Sequence, residues 1–106
     1  MISQKDIVQI GALTRTHGKQ GEVQCRMNNE LWDEADAEFL ILNLQNILVP
    51  FRVTDWRGKG AECLIFQLAG IDNEEKALPL IGADAYMLRK DVTLSEGQEE
   101  QLLTWQ

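Results

Sequence analysis

Six short runs of apolar or alternating residues, each closed by glycine, asparagine or charged side chains, leave this 106-residue chain little choice but a small β-structure. They cover residues 7–13, 22–27, 39–42, 47–56, 61–68 and 83–88. Val23 and Cys25 alternate with Gln24 and Arg26, the period of a half-buried strand. Val49, Phe51 and Val53 alternate in the same way with Pro50, Arg52 and Thr54. Residues 39–42 are apolar throughout, and a run so short favours a buried strand over a helix. Gly11 marks a bulge or a close approach, and Pro50, which lacks a donor, belongs at an edge or a bulge.

Helical signals are few. Residues 71–78 read as the one helix, with Asp72 or Asn73 as N-cap and Glu74 and Glu75 in the first turn, where the dipole favours them. Pro79 ends or kinks it, and Gly82 offers a left-handed stop. Residues 33–36 suit a single helical turn. Arg57-Gly58-Lys59-Gly60 reads as a basic turn that joins 47–56 and 61–68 into a long hairpin. Six strands with one short helix predict an all-β fold, a small and closed or nearly closed six-stranded antiparallel barrel, because closure removes exposed edges. Phe39, Phe51 and Phe66 are expected in the core. Trp32 and Trp56 flank polar segments, which suits either an interface anchor or a lid on the barrel end.

Length and composition set the class. The chain is one domain's worth, with 44% hydrophobic and 25% charged residues, and it holds no apolar run that would span a bilayer. Its first residues lack the basic-then-apolar order of a secretory signal, so a cytoplasmic, membrane-free protein is expected. Cys25 and Cys63 are read as free core or surface residues. Without paired cysteines or histidines at ligand spacing, no metal and no cofactor is expected. The formal charge of −7 is uneven. Residues 30–38 hold five acidic residues and 91–106 hold four, with no basic residue in either. The rest carries ten basic and eight acidic residues. Such acidity argues against broad binding to nucleic acid, and fits a basic protein partner or a merely solvated surface.

The segment between the first two strands is the leading candidate for the working site. It holds the only histidine, His17, with Gly18 and Gly21 three residues apart, and gathers Arg15, Thr16, Lys19 and Glu22 around them. Arg57 and Lys59 join the candidates if both hairpin tips lie on one side of the barrel. His17 near Glu22 resembles a base and its orienter, yet no nucleophile accompanies them, so no enzyme is expected. Gly18-Lys19-Gln20-Gly21 lacks the Gly-x4-Gly-Lys-Ser/Thr spacing of a phosphate loop and runs into a strand, where such a loop runs into a helix. Arg15, Lys19, Arg26, Arg57, Lys59, Arg89 and Lys90 would form a stripe suited to RNA if the tips share a side.

The stretch from Ile10 to Val23, with its His17-Gly18 pair and Gly21-Glu22-Val23, resembles the opening motif of the ribosome maturation factor RimM family. A second match follows in order. Gly70-Ile71-Asp72, the short helix, Ile81-Gly82-Ala83 and the strand after it resemble the family's later pattern, and Arg89-Lys90-Asp91 resembles the step that ends its first domain. The resemblance implies a barrel of the translation-factor type and a non-catalytic assembly factor. Such a factor binds the head of the maturing small (30S) ribosomal subunit, supports 16S rRNA processing and contacts a basic ribosomal protein of the head. On this resemblance residues 1–92 form the N-terminal barrel and 93–106 begin an acidic interdomain linker, the family's second barrel being absent from this sequence; separately, a monomer is expected. Lys19, where the family usually has an apolar residue, and Pro79 in the helix depart from the pattern. A small barrel that binds RNA on its own is the alternative reading.

Overall fold

The six expected strands form and close on themselves in the computed structural model, which describes residues 2–92. They are β1 (Ile7–His17), β2 (Glu22–Met27), β3 (Phe39–Leu44), β4 (Ile47–Lys59), β5 (Cys63–Leu68) and β6 (Asp84–Leu88). Hydrogen-bonded neighbours run β1-β2-β5-β4-β3-β6 and back to β1, antiparallel throughout. β4 makes closure possible. Its first half, as far as Arg52, pairs with β3, and from Val53 onward it pairs with β5. A strand that changes partner midway must bend, and a bulge between Val53 and Asp55 supplies the bend. Pro50 lies in the half that pairs with β3 alone, so the other side is an edge that tolerates its missing donor.

Alternation decides what enters the core. Val23 and Cys25, Leu40 and Leu42, Leu64, Phe66 and Leu68, and Ala85 and Met87 point inward and pack with Ile10 and Leu13. Gly11 serves both purposes expected of it. The β1 register shifts between Gln9 and Gly11, and a Cβ on Gly11 would lie 2.1 Å from the Arg26 carbonyl oxygen of the adjoining strand. Burial pushes the Cys25 thiol up to about 12, and Cys25 and Cys63 are both free. Among the described residues, no helix is long and apolar enough to cross a membrane.

Three local expectations are corrected. The helical turn expected at 33–36 is α1 (Leu31–Glu34), started two residues earlier because Asn29 Oδ1 accepts the Leu31 N–H at 3.1 Å. This turn drives Trp32 into the core, 1% exposed and edge-on to Phe66 at 5.1 Å and Trp56 at 6.4 Å. Trp32 is therefore not a surface anchor; only Trp56 of this pair keeps an exposed edge. The basic turn expected at 57–60 is strand as far as Lys59, since Arg57, Gly58 and Lys59 pair with Ile65, Leu64 and Cys63. The chain turns over residues 60–62, so Ala61 and Glu62 lie outside β5. Finally, the helix expected over 71–78 is the single turn α2 (Glu74–Ala77). Asn73 caps it by accepting the Lys76 N–H at 2.8 Å, and Pro79 sits in a 3-10 turn that follows directly. The expected linker, 93–106, lies outside the described residues.

A two-residue loop joins β3 to β4. Gln45 and Asn46 both have positive φ, 53° and 67°, as a type I′ turn requires. Glutamine is poorly suited to that region and asparagine is enriched there. Gln45→Asn is expected to stabilise the domain by about 0.5 kcal/mol, read as a rise in the urea midpoint at unchanged slope.

Candidate functional site

Two matched bulges set the face on which the candidate residues lie. In β1 the register shifts between Leu13 and Arg15, and the bulged Thr14 donates its hydroxyl to the Gln24 carbonyl at 3.3 Å. In β4 it shifts between Val53 and Asp55, and Thr54 donates to the Gln67 carbonyl at 3.1 Å. Each extra residue reverses the inward-outward phase of the strand beyond it. Leu13 and Val53 face the core, and beyond the bulges Arg15, Asp55, Arg57 and Lys59 turn outward. Pairing then sets Arg15, Gln24, Ile65 and Arg57 in one row across β1, β2, β5 and β4. Arg26, Cys63 and Lys59 form a neighbouring row.

The outer face is laced from β2 to β4. Arg57 makes a two-pronged link to Glu22, with Nη2 to Oε1 at 3.1 Å and Nη1 bonded to Oε2. Lys59 Nζ donates to Gln24 Oε1 at 3.2 Å. Both links pass across β5, and Ile65, which faces outward from that strand, is only 2% exposed. His17 Nδ1 lies 3.9 Å from Glu22 Oε1. The hydrogen bonds from Arg57, helped by the charges of Arg57 and His17, hold the Glu22 carboxyl below its ordinary value of 4.5.

Stability follows that shift. The Glu22 contribution is complete above the unfolded carboxylate range and is lost as pH falls through the lower folded value. Glu22→Gln is therefore expected to lower the urea midpoint at pH 7, and the gap to the parent narrows on acidification through that range.

A glutamine pins the hairpin tip. Gln67 Nε2 donates to the Gln20 carbonyl at 3.1 Å and to the Ile71 carbonyl at 2.8 Å. Gly21, with φ of 85°, is buried against the same connection, where an added Cβ would meet Ile71 O at 2.5 Å and Asn73 N at 2.8 Å. Gly18 and Lys19 remain exposed at the tip.

The structure thus unites Arg15, His17, Glu22, Arg57 and Lys59 on one face, with Gly18, Lys19 and Gly21 in the tip beside it. Thr16 does not join them; it pairs with the buried Val23 and shares that inward phase. Arg89 and Lys90 also fall outside the stripe. Arg89 donates to the Lys5 carbonyl at 3.1 Å, near the chain's N-terminal end. Sequence reasoning passed over Gln24 and Gln67; the only signal was that Gln67 is the one polar side chain in residues 63–68 other than Cys63. The acidic residues Glu30, Asp33, Glu34, Asp36 and Glu38 are all exposed on and around α1. What the arrangement offers chemically is a donor-rich contact face, and among the described residues no side-chain hydrogen bond joins a nucleophile to His17.

Comparison with known proteins shows the family. The sequence model of the RimM N-terminal domain matches residues 8–92. A ribosome maturation factor RimM of Bacteroides thetaiotaomicron is 30% identical over 105 residues, spanning 99% of this chain and 57% of that protein. The same factor of Phocaeicola vulgatus is 28% identical over 105 residues, with 99% and 60% spanned. The chain spans little more than half the length of these curated relatives. Among solved structures, the fold is similar to RimM of Pseudomonas aeruginosa, with a TM-score of 0.70 at 24% identity over 82% of this chain and 53% of that one. It is also similar to the N-terminal domain of RimM from Thermus thermophilus, with a TM-score of 0.63 at 19% identity over 83% and 95%. Matched by that domain model over nearly all of its described residues, the chain belongs to the RimM family.

Proposed function

We propose that this chain is a non-catalytic, cytoplasmic ribosome-assembly module that binds the maturing small ribosomal subunit at its head and supports 16S rRNA processing. The contact face is the outer surface of β1, β2, β5 and β4 with the His17 tip. One observation carries the reading. Two bulges and the strand register turn Arg15, Arg57 and Lys59, drawn from separate hairpins, to the same side as His17. Membership of a family whose relatives are named ribosome maturation factors supports it. The exposed acidic residues around α1 suit a basic ribosomal protein as a second contact.

Co-sedimentation with small subunits from cells that lack the endogenous factor tests this across a salt series. His17→Ala and Lys19→Glu are expected to weaken association while the urea midpoint stays close to the parent's, because both side chains lie at or beside an exposed tip. Unchanged co-sedimentation of both variants would remove the site from this face. A steep fall in affinity with salt would mark phosphate contacts and favour rRNA as the ligand of the cationic rows, whereas a shallow one favours protein.

A further inference from the structure

Beyond the bulge at Thr54, the two faces of β4 differ in character. Arg57 and Lys59 turn outward and are held there by Glu22 and Gln24. Trp56 and Gly58 take the opposite phase, since they pair with the inward-facing Phe66 and Leu64. Phe66 is fully covered, yet Trp56 is 40% exposed and is the one exposed aromatic side chain among the described residues. Gly58 is exposed too, and no heavy atom beyond its chain neighbours lies within 4 Å of where its Cβ would be. The inner face of β4 is therefore uncovered from Trp56 towards the end of the hairpin.

The fold itself gives no reason for that glycine. Its φ is not positive and no neighbouring strand presses on it, while a glycine inside a strand weakens the strand. Such a glycine suits a place where another molecule approaches the backbone closely. Beside it the Trp56 ring stands edge-on to Trp32, with centroids 6.4 Å apart and 86° between the ring planes, so the fold orients it. Trp32 belongs to α1. Its neighbours Glu30, Asp33 and Glu34 are exposed carboxylates with no ion-pair partner among the described residues. Asp36 and Glu38, farther on, share a depression with Lys90.

We propose that this shelf receives an arginine side chain of a basic protein partner. The guanidinium lies against the Trp56 ring, its stem passes over Gly58, and the carboxylates of α1 supply the counter-charge. The proposal rests on the reading in which a basic protein is the second contact, and gives that contact its anchor. Three carboxylates beside a bare aromatic face attract a cation and repel phosphate, which favours protein over RNA here. A planar guanidinium stacks on an aromatic ring where an ammonium cannot, which favours arginine over lysine. The nearby cations do not oppose it: Arg57 and Lys59 are tied to the other face, and Arg26 lies 3.8 Å from Glu62.

NMR titration of the 106-residue chain with an acetylated, amidated octapeptide of alternating arginine and glycine tests it. The Trp56 indole N–H and the Gly58 amide are expected to shift and saturate together, while the Gly18 and Lys19 amides stay in place. Trp56→Ala is expected to weaken binding on the order of tenfold. Gly58→Val, which has room for its side chain and suits a strand, is expected to do the same with the fold intact. The lysine counterpart of the peptide is expected to bind several-fold more weakly. A Trp56 indole that does not move overturns the proposal, as does parental affinity in either variant or equal affinity for the lysine peptide. So does a shift of the same indole by oligouridylate, which would make the shelf an RNA site. Co-sedimentation separates the shelf from the outer face. If His17→Ala releases small subunits while the peptide ignores Trp56, only the anchor falls. If peptide binding obeys Trp56 and Gly58 while His17→Ala and Lys19→Glu leave co-sedimentation unchanged, the outer-face site falls and the shelf stands.

Discussion

Trp32→Ala is expected to destabilise the domain by about 3–5 kcal/mol, the range for truncating a buried tryptophan or phenylalanine. Trp32 is 1% exposed and the largest fully buried side chain among the described residues, and it stands edge-on to both Phe66 and Trp56. Its removal leaves a void that α1, only four residues long, cannot collapse to fill. Typical domains hold about 5–15 kcal/mol in all, so the variant loses a large share of its stability. Urea unfolding reads the change as a fall in midpoint at unchanged slope. Trp56→Ala is the control. Trp56 is 40% exposed, so it loses far less, and equal losses for the two would mean that α1 does not close the core.

Gly21→Ala is expected to cost about 2–5 kcal/mol, from two independent causes. A left-handed backbone carries a penalty of roughly 1–2 kcal/mol for a residue with a Cβ. Overpacking against atoms that cannot move adds about 1–3 kcal/mol, and the obstacles here are the Ile71 carbonyl and the Asn73 amide. Gly18→Ala separates the causes. Gly18 has φ of 79° with open space where a Cβ would go, so its alanine variant carries the backbone penalty alone. A Gly21→Ala loss no larger than that of Gly18→Ala would show that the tip is not wedged against the Ile71–Asn73 connection. Because Gln67 clasps the same place, Gly21→Ala is also expected to weaken subunit association more than Gly18→Ala does.

Much of this was legible in the chain itself. Val23 and Cys25 against Gln24 and Arg26 write the pleat of β2 into adjacent residues, and Asn73 ahead of Glu74 and Glu75 writes the start of α2. Gly58 misled because a glycine beside cations resembles a turn, whereas pairing with Leu64 holds it in β4. Trp32 misled because a polar neighbourhood of Asp33 and Glu34 says nothing of which way a single helical turn is rolled; only the Asn29 bond to Leu31 decides that.

By itself, then, the sequence determined six strands, a barrel and a charged histidine loop, since alternation and turn chemistry act between near neighbours and need no knowledge of the rest. Tertiary structure decided the face. Arg15 and Arg57 are forty-two positions apart, and each owes its outward direction to a one-residue bulge that reverses phase. Their place in one row, and the grip of Arg57 on Glu22, depend on β5 lying between β2 and β4. No local pattern carries that order, because strand pairing is settled by closure of the whole sheet.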